Sequence, residues 1–569
     1  MKTGAFTFVL HSHLPYVRKA GRWPHGEEMV HEAIAETYIP LLNALFDLKQ
    51  EGYEPKLTIG ITPILMEQLA DADVLGHFEL YVEERIALIE SDLRLWEGKD
   101  SHRAALAQFY LDWYAGNLRA FRERYDRDIV GAFRKLQDAG NVDVLTSAAT
   151  HGYLPLMDRD STLYGQIKTG VDTYVRHMGR QPQGIWLPEC GYRPGYMKDG
   201  RPSYYKAGEE EFLAAFGLKY FFTDTHVIEG GKLVGKVAGD AVGPYGAIPL
   251  RKVVVKPDVR PEATQRSTFR PYYVQAAEVA VFGRDERTGM LVWSAAHGYP
   301  GDFVYREFHR KDSNSGAQYW RISGAGVDLG NKDLYDPEAA RRQVRLHADY
   351  FVHVVADRLR EWSGKGDEMG VIVSAYDTEL FGHWWFEGVD WLKEVIRQLS
   401  VSPDVELTTA RDYLSAHPPT EVVAIPESSW GAGGGHWTWL NPETEWMWPL
   451  IHAAERRMEK LAARWPNPDK EWAVLLAQVA RELVLLESSD WPFLMSTGQA
   501  KEYASGRFQQ HLARFNHLAA AAERGGPLSD SDRRFLQTTA ELDNPFPQVQ
   551  YRDFVERESA PLRPKEPPA

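Results

Sequence analysis

Residues 370–385 read GVIVSAYDTELFGHWW, and this stretch decides the fold. Its first six residues are mostly apolar or β-branched and predict a buried strand. A Gly, Pro or Asn turn would be enough to reverse the chain. The strand instead leads into Tyr376, Asp377 and Glu379 and then a Gly-His-Trp-Trp cluster. Carboxylates and aromatic rings in place of a turn indicate that the fold presents a site at this strand end.

Similar apolar runs recur along the chain, each followed by a polar or Gly/Pro-containing loop. They predict strands in AFTFVL (5–10), KLTIGI (56–61), VDVLTSAA (142–149), GIWL (184–187), KYFFTD (219–224), MLVWSAA (290–296), GVIVSA (370–375) and VELTTA (405–410). Helical segments such as residues 36–50 and 337–362 lie between most of them. This alternation predicts an α/β fold with a mainly parallel sheet, and seven or eight such units favour a closed or nearly closed barrel. An open doubly wound sheet is the alternative, but no strand is followed by Gly-x-Gly-x-x-Gly.

Two regions break the alternation of strands and helices. Residues 77–141 are charged and helical and predict an inserted helical subdomain. From residue 415 the strand pattern is lost again, and the helical spacing around Trp472 and Val479 predicts a C-terminal helical domain over residues 415–555. Residues 556–569 are Pro-rich and predict a disordered tail. The barrel that carries the chemistry would then comprise residues 1–76 and 142–414.

The composition limits the classes of function. The 569 residues are 44% hydrophobic and 25% charged, as in soluble globular proteins. The net charge of −15, with no compensating basic stretch, argues against nucleic acid or an anionic membrane as a partner. Cys190 is the single cysteine, so no intramolecular disulfide can form, which suits a reducing compartment. Because the N-terminal apolar stretch is short for a signal peptide and no run is long enough to span a membrane, we expect a cytoplasmic protein with a neutral substrate.

Two carboxylates follow predicted strands among aromatic residues. Glu189 comes after Trp-Leu-Pro, and Asp377 comes after Tyr376. Each carboxylate alone is explained more simply as a helix cap or an acceptor of backbone N–H groups. Together, at strand ends in an aromatic cleft, they suit cleavage of a glycosidic bond, with one as nucleophile or base and the other as proton donor. Glu379 competes for the acid role, and we assign it to supporting hydrogen bonds.

Five histidines fall just beyond predicted strands: His11, His13, His151, His297 and His383. One interpretation is a metal site, since His-x-His with carboxylates can bind zinc or a similar ion. Another is that these histidines only satisfy backbone groups. We favour a third, in which they hydrogen-bond sugar hydroxyls and help to set the pKa values of the carboxylates.

Aromatic residues accumulate again in SSWGAGGGHWTW (428–439), which holds Trp430 and Trp439 in a Gly-rich loop. Flat rings on loops suit the apolar faces of pyranose rings, and the alternative is an aromatic interface between domains. In SSDWPF (488–493), Asp490 is a candidate acceptor for sugar hydroxyls.

Five ordered motifs resemble those of glycoside hydrolase family 57, in particular its 1,4-alpha-glucan branching enzymes. The motifs are HSHLPYV (11–17), THGYLPL (150–156), GIWLPECGY (184–192), AYDTELFGHWWFEG (375–388) and SSWGAGGGHWTW (428–439). The resemblance implies an incomplete (β/α)7 barrel with an inserted helical subdomain and a C-terminal helical domain, and neither cofactor nor metal. It also implies an alpha-glucan substrate such as amylose or a glycogen-like polymer, a retaining double displacement and the formation of alpha-1,6 branches.

The resemblance also assigns roles to single residues. Glu189 matches the nucleophile of the family and Asp377 its general acid/base, a division that the residues alone leave open. A mobile loop that carries a Tyr over the cleft corresponds to GDAVGPYGAIP (239–249), with Tyr245 as the candidate. The substrate-binding residues that we expect on this basis are His11, His13, His151, Arg266, Gly283, Trp430, Trp439, Asp490 and Tyr245.

Other functions remain open at this level. A 4-alpha-glucanotransferase or alpha-amylase of the same family would give a product without new alpha-1,6 linkages. A metal-dependent polysaccharide deacetylase would use the histidines at the strand ends and would lose activity with a chelator. A noncatalytic glucan-binding protein would use the aromatic loops alone.

Overall fold

The structure is a computed structural model. It describes residues 2–22, 24–198, 204–230, 237–238, 253–254, 266–275, 277–294, 297–365 and 369–556. Tyr245 with the rest of the expected loop 239–249, and residues 557–569 of the expected tail, lie outside the described residues.

The described strands are β1 (Gly4–Ser12), β2 (Leu57–Ile61), β3 (Val142–Leu145), β4 (Tyr196–Lys198), β5 (Tyr204–Lys206), β6 (Tyr220–Thr223), β7 (Val237–Ala238), β8 (Val253–Val254), β9 (Tyr272–Val274), β10 (Ala280–Gly283), β11 (Gly370–Asp377), β12 (Val405–Leu407) and β13 (Val422–Val423). The described α-helices are α1 (Glu28–Ala33), α2 (Ile39–Gln50), α3 (Pro63–Leu69), α4 (Ala72–Trp96), α5 (Ser101–Arg119), α6 (Ile129–Asp138), α7 (Asp160–Met178), α8 (Glu209–Ala215), α9 (Thr225–Glu229), α10 (Glu286–Trp293), α11 (Pro337–Ser363), α12 (Gly388–Ser400), α13 (Ala410–Ala416), α14 (Met447–Arg464), α15 (Lys470–Leu486), α16 (Asp490–Thr497), α17 (Lys501–Arg524) and α18 (Asp530–Leu542).

The main sheet is parallel, as the alternation of strands and helices predicts. Its strand order is β11-β1-β2-β3, and β12 also pairs with β1. Single parallel bridges, Thr146 to Ile185 and Gly184 to Tyr220, continue the order from β3 to β6. β6 then pairs in parallel with β10. The chain therefore has an α/β fold with a parallel sheet and a high helical content.

The two faces of β1 and β11 pack against different cores, which places the site residues. Ala5 and Val9 of β1 and Val371 and Val373 of β11 share one buried cluster. The alternate residues, such as Phe6 and Ile372, pack in a second cluster with the surrounding helices. Because side chains alternate along a strand, His11 and Asp377 continue the first row at the carboxyl ends of the two strands. The register pairs these two residues directly.

One predicted strand is a helix, and another, GIWL (184–187), forms single bridges at Gly184 and Ile185 instead of a strand. Residues 290–293 of the run MLVWSAA (290–296) form the end of α10, which begins after the cap Asp285, whose carboxylate accepts the N–H of Thr288. Leu291 and Val292 are buried while Met290 is exposed, which is an amphipathic helix. A short apolar run does not distinguish a strand from a buried helical turn. The strand at this point of the order is β10, which the sequence did not predict.

The helical regions agree with the sequence except at the start of the C-terminal part. α4 and α5 pack together and begin at the caps Asp71 and Asp100. The C-terminal helices α14 to α18 share a buried core that includes Trp472 and Val479. Residues 417–446, which we expected to be helical, instead form β13, a short 3₁₀ turn and loops, because Pro and Gly residues interrupt the helical pattern there. None of the helices in the described ranges is long and apolar enough to cross a bilayer.

Candidate active site

Glu189 lies in a tight turn whose backbone conformation is unusual. Pro188 to Cys190 form a single 3₁₀ turn, and Glu189 has φ +62°. His151 (φ +57°) and Cys190 (φ +49°) also adopt left-handed conformations without being glycine. Such conformations cost free energy and persist where the surroundings enforce them, often at functional sites. The strained turn therefore marks Glu189 as a functional candidate independently of its carboxylate.

Trp430 of the Gly-rich loop binds this turn by two hydrogen bonds. Its indole Nε1 donates to Oε2 of Glu189 at 2.6 Å. Its backbone N–H donates to the carbonyl oxygen of Glu189 at 3.0 Å. The loop 428–439 therefore fixes both the backbone and the carboxylate of Glu189.

The charges around Glu189 set its pKa. Burial, with the negative charge of Asp377, raises the pKa of Glu189 to about 7, while the indole of Trp430 and the side chain of His13 act in the opposite direction. At neutral pH the carboxyl group of Glu189 is thus close to its midpoint of ionisation. The effect of the Asp377 charge on Glu189 shows that the two carboxyl groups lie near each other in the folded chain.

Three of the predicted histidines form a stack beside Glu189. The rings of His13 and His151 lie 4.0 Å apart and those of His11 and His151 lie 4.9 Å apart. His11 also stacks on Trp186 at 4.8 Å. Nε2 of His11 is 3.0 Å from Nε2 of His151, so one nitrogen donates and the other accepts. Burial lowers the pKa of both His11 and His151 well below the usual range, and the charge of His13 lowers both further, which keeps these two rings neutral.

His13 differs from its two neighbours because it faces carboxylates. Its Nε2 is 3.0 Å from Oδ1 of Asp490, and its Nδ1 is 3.0 Å from the hydroxyl of Thr62. Burial acts to lower the pKa of His13, but Asp490, Glu189 and Glu379 outweigh it and raise the pKa. His13 is thus the ring of the stack that takes up a proton most readily. Asp490 holds it and also accepts from the hydroxyl of Ser488 at 2.6 Å.

Glu379 is buried and lies close enough to Asp377 to be affected by its charge. It accepts a hydrogen bond from the hydroxyl of Tyr38. Burial raises the pKa of Glu379 to about 8, with a further contribution from Asp377, so the carboxyl group is mainly protonated at neutral pH. This environment agrees with the supporting role that the sequence suggested.

Several predicted residues lie apart from this cluster. Trp439 is fully buried and stacks on Tyr153 at 4.2 Å, so its ring supports the loop from beneath. The prediction that Trp439 contacts the glucan directly is therefore wrong. His297 is exposed and follows helix α10. It therefore does not lie at a strand end, as we had predicted. Nδ1 of His383 is 3.2 Å from Oε2 of Glu36, so this ring belongs to a buried ion network. Arg266 donates to the carbonyl of Ala424 at 3.4 Å.

β10 ends at Gly283, and the next residue, Arg284, lies beside Trp430 of the site. A Cβ at Gly283 would lie 2.6 Å from Thr268, so the strand end is closely packed there. The guanidinium of Arg284 donates to Asp224 at 2.8 Å and lies 5.9 Å from the ring of Trp430. The sequence reasoning missed Arg284, Tyr38 and Trp186. Arg284 could have been found from the sequence, because it directly follows the apolar run AVFG (280–283).

The metal interpretation of the strand-end histidines does not suit their geometry. The facing nitrogens of His11 and His151 are engaged with each other, and Nδ1 of His151 is 2.9 Å from the hydroxyl of Ser489. Within the described part of the chain, a set of possible ligand atoms within 4.8 Å of one another occurs elsewhere, at Glu482, His511 and Asp543. Arg514 binds Asp543 in that set, and Nδ1 of His511 lies 2.9 Å from Glu482.

Two carboxyl groups at strand ends, set among stacked rings, form a site suited to glycosidic-bond chemistry. Residues 7–426 match the model of glycosyl hydrolase family 57, and residues 450–554 match that of the C-terminal region of 1,4-alpha-glucan branching enzymes. The chain therefore belongs to glycosyl hydrolase family 57.

Three relatives show how far the similarity extends. The chain is 44% identical to a 1,4-alpha-glucan branching enzyme of Thermococcus kodakarensis over 97% of this chain and 78% of the relative. The crystal structure of a family 57 branching enzyme from Pyrococcus horikoshii is 41% identical, has a TM-score of 0.86 and covers 100% of both chains. The alpha-amylase AmyC of Thermotoga maritima is 31% identical with a TM-score of 0.82, over 98% of this chain and 100% of that chain.

Proposed function

We propose that the chain is a 1,4-alpha-glucan branching enzyme, which cleaves an alpha-1,4 linkage and transfers the released chain to a 6-hydroxyl as an alpha-1,6 branch. The observation that carries the proposal is the match of both the sheet-containing region and the C-terminal region to branching enzymes. Its substrate is an alpha-glucan such as amylose or a glycogen-like polymer.

The proposed architecture follows the division expected from the sequence. Residues 1–76 and 142–414 form an incomplete (β/α)7 barrel, and residues 77–141 form an inserted helical subdomain. The order of parallel pairings from β11 through β1, β2, β3 and β6 to β10 supports this arrangement. Residues 415–555 form the proposed C-terminal domain, and the shared core of helices α14 to α18 supports its helical part.

In the proposed mechanism, the ionised carboxylate of Glu189 attacks the anomeric carbon, while Asp377 gives its proton to the leaving glycosidic oxygen. A covalent glycosyl-enzyme forms and the 4-hydroxyl chain end departs. Asp377 then removes the proton of an acceptor 6-hydroxyl, whose oxygen attacks the anomeric carbon and releases Glu189. This double displacement requires the two carboxyl groups to lie about 5–5.5 Å apart.

The surrounding residues serve this chemistry. Trp430 and His13 favour the ionised form of Glu189, which is the nucleophilic form. We assign His11, His13, His151, Trp430 and Asp490 to contacts with the glucan, and Arg266, Gly283 and Tyr245 to further contacts that stay predictions. The residues that hold the site need neither a metal nor a cofactor for these steps.

The test is proton NMR of amylose after incubation with the purified chain, with alpha-1,6 and alpha-1,4 anomeric signals integrated separately. New alpha-1,6 signal with little increase in reducing ends is the expected result. Glu189→Gln should abolish transfer and hydrolysis together, and activity retained by this variant would refute the assignment of the nucleophile.

An alpha-amylase is the second candidate, because the chain is 31% identical to AmyC along nearly its whole length. In that case water resolves the glycosyl-enzyme in place of a sugar hydroxyl. Reducing ends without alpha-1,6 signal in the same experiment would favour this function. A 4-alpha-glucanotransferase would give neither new reducing ends nor alpha-1,6 signal but a redistribution of chain lengths.

A further inference from the structure

A pocket separate from the catalytic cluster lies among helices α2, α5, α11 and α12. Its volume is about 220 Å³. Its walls include Asp47 of α2, Phe109 and Trp113 of α5, Arg341 of α11, and Glu387 and Asp390 at the start of α12. We call this cavity the helix pocket. Within the described ranges, its lining includes neither catalytic carboxylate, nor any histidine of the stack, nor Trp430.

One wall of the helix pocket is aromatic. The ring of Phe386 lies 5.3 Å from Trp113 and 6.2 Å from Phe109. The guanidinium of Arg306 lies 4.0 Å from the centre of the Phe386 ring and supports it. Trp113 is half-buried, and its indole N–H has no acceptor among the residues that the structure describes. The wall thus offers a flat apolar surface with a spare hydrogen-bond donor.

Two carboxyl groups in the pocket have unused acceptor capacity. Glu387 is 3% exposed, and its Oε1 accepts the backbone N–H of Arg306 at 3.0 Å. Its Oε2 is buried and makes no hydrogen bond of good geometry within the described chain, and burial raises the pKa of Glu387 to about 7 against the opposing effect of the nearby Tyr335 hydroxyl. Asp390 makes neither a hydrogen bond nor an ion pair with any described residue. A buried acceptor without a donor is costly, and a ligand hydroxyl would relieve that cost.

The surroundings of Asp390 show that this part of the surface is concave. Its side chain is accessible to solvent, yet burial raises its pKa against the opposing charges of Lys393 and Arg341. A group that is both accessible and surrounded by protein lies inside a cleft. Polar groups converging on a partly apolar cleft are typical of a ligand site.

The charge and size of the helix pocket define the class of ligand. Four of its lining residues are acidic (Glu36, Asp47, Glu387 and Asp390) and two are basic (Arg341 and Lys393), which disfavours an anion. Its volume is far more than one water needs but below the roughly 300 Å³ at which pockets for drug-sized ligands begin. A neutral ring of one or two sugar units fits these limits, because hydroxyls can donate to carboxylates while an apolar ring face covers an indole.

We infer that the helix pocket is a second carbohydrate site, which binds a glucosyl unit of an alpha-glucan through Glu387, Asp390 and the ring of Trp113. The choice of an alpha-glucan over another sugar rests on the proposed function. The pocket lies behind the loop that follows Asp377, because Glu36 of its wall holds His383 of that loop at 3.2 Å. A polymer bound there would remain attached to the protein while another part of it occupies the catalytic cluster.

The experiment measures binding of the full chain to glycogen by affinity electrophoresis, in the Glu189→Gln background so that the polymer is not altered. Trp113→Ala and Asp390→Asn, each added to this background, should weaken the apparent affinity by about fivefold to tenfold. Asp390→Asn is the more informative variant, because it removes neither a hydrogen bond nor an ion pair with any described residue and changes only the charge felt by Lys393 and Arg341. Thermal unfolding of each variant checks that the fold is intact.

Two matched controls isolate the pocket. Asp112→Asn makes the same change on the exposed face of α5, and Trp293→Ala removes an exposed tryptophan at the end of α10. Both should bind glycogen like the Glu189→Gln parent. Folded Asp390→Asn and Trp113→Ala variants that bind as tightly as the controls would overturn the inference. Weakened binding combined with no alpha-1,6 product from the unmodified chain would leave the second site in place and refute the branching activity.

Discussion

The indole Nε1 of Trp430 lies 2.6 Å from Oε2 of Glu189, so a tryptophan from a Gly-rich loop holds the carboxylate that we assign as nucleophile. The same loop also holds the carbonyl of Glu189, in a backbone conformation with φ +62°. The position and the ionisation of this carboxylate therefore depend on a segment some 240 residues further along the chain.

The first prediction concerns the pH dependence of the reaction. A nucleophilic Glu189 must be ionised, and its pKa is about 7. We expect kcat/KM to fall about tenfold per unit as the pH drops below this value, because the carboxyl group becomes protonated. The measurement is kcat/KM for amylose from pH 4 to 9, with circular dichroism at each pH to show that the protein remains folded. A profile without a break between pH 6 and 8 would contradict the assignment.

The second prediction tests the contact between Trp430 and Glu189. Trp430→Phe keeps an aromatic ring but removes the N–H donor. Because this donor lowers the pKa of Glu189 in the unmodified chain, its loss should raise that pKa. The acid limb of kcat/KM should therefore move to higher pH, and activity at pH 7 should fall by about 10-fold to 100-fold, as expected for losing a hydrogen bond to a charged group. Trp437→Phe, in the same loop, is the control and should leave the limb unchanged.

The third prediction separates the roles of Asp377 and Glu379. Asp377→Asn should lower kcat by about 10²–10⁴, the usual contribution of a general acid/base. Glu379→Gln should keep most of the activity, because Glu379 is mainly protonated at neutral pH and an amide can replace it. Both variants exchange a carboxyl group for an amide. If Glu379→Gln were the more damaging of the two, Glu379 and not Asp377 would be the proton donor.

The fourth prediction concerns His13, the ring of the histidine stack that takes up a proton most readily. Asp490→Asn removes the group that, after the opposing effect of burial, does most to raise the pKa of His13. The ring should then lose its charge at a lower pH. At Glu189 the loss of the His13 charge raises the pKa while the loss of the Asp490 charge lowers it, so the acid limb of kcat/KM should shift less than the His13 titration. NMR titration of the imidazole signals checks the first step, and the pH profile checks the second.

A matched control for Asp490→Asn is Asp357→Asn. Asp357 pairs with His353 at 2.9 Å on the exposed face of α11, so the same change is made beside a histidine far from the cluster. The pH profile of this variant should equal that of the unmodified chain. An unshifted His13 titration in Asp490→Asn would show that Asp490 does not control the charge of His13.

The sequence was sufficient to predict the strands whose apolar periodicity ends in polar site residues. The apolar runs of β1 and β11 alternate between two buried faces, so their periodicity predicts both strands and the direction of His11 and Asp377. The bond between Trp430 and Glu189 could not be predicted, because it joins loops that only the folded chain brings together. Sequence distance carries no information about such contacts.

Other errors have local physical causes. The run at 290–296 has the apolar composition of a strand, but the cap at Asp285 starts a helix, and composition alone does not choose between them. Trp439 has the same Gly-rich neighbours as Trp430, yet it stacks beneath the loop on Tyr153 and is fully buried. Burial of a loop residue depends on what lies under the loop, which local sequence does not encode.

The last prediction concerns stability, through two buried acids that join the C-terminal helices to the rest of the chain. Oε2 of Glu455 accepts the backbone N–H groups of Asp158 and Arg159 at 3.0 Å each, and Oε2 of Glu487 accepts from Gln166 at 2.9 Å. Burial raises the pKa of Glu455 to about 8 and that of Glu487 well above its usual range. In the unfolded chain both return to about 4.3.

Between pH 4.3 and about 8 the folded state therefore binds more protons than the unfolded state, so the free energy of unfolding must decrease as the pH rises through this window. Glu487→Gln removes the ionisable group while keeping an oxygen that can accept from Gln166. Its melting temperature should exceed that of the unmodified chain at pH 8 by about 1 °C, which corresponds to roughly 1 kcal/mol for a chain of this length, and the difference should shrink toward pH 5. Differential scanning calorimetry across this range is the measurement, with Glu502→Gln on the exposed face of α17 as the control. An equal difference at pH 5 and pH 8 would show that packing, and not protonation, separates the two proteins.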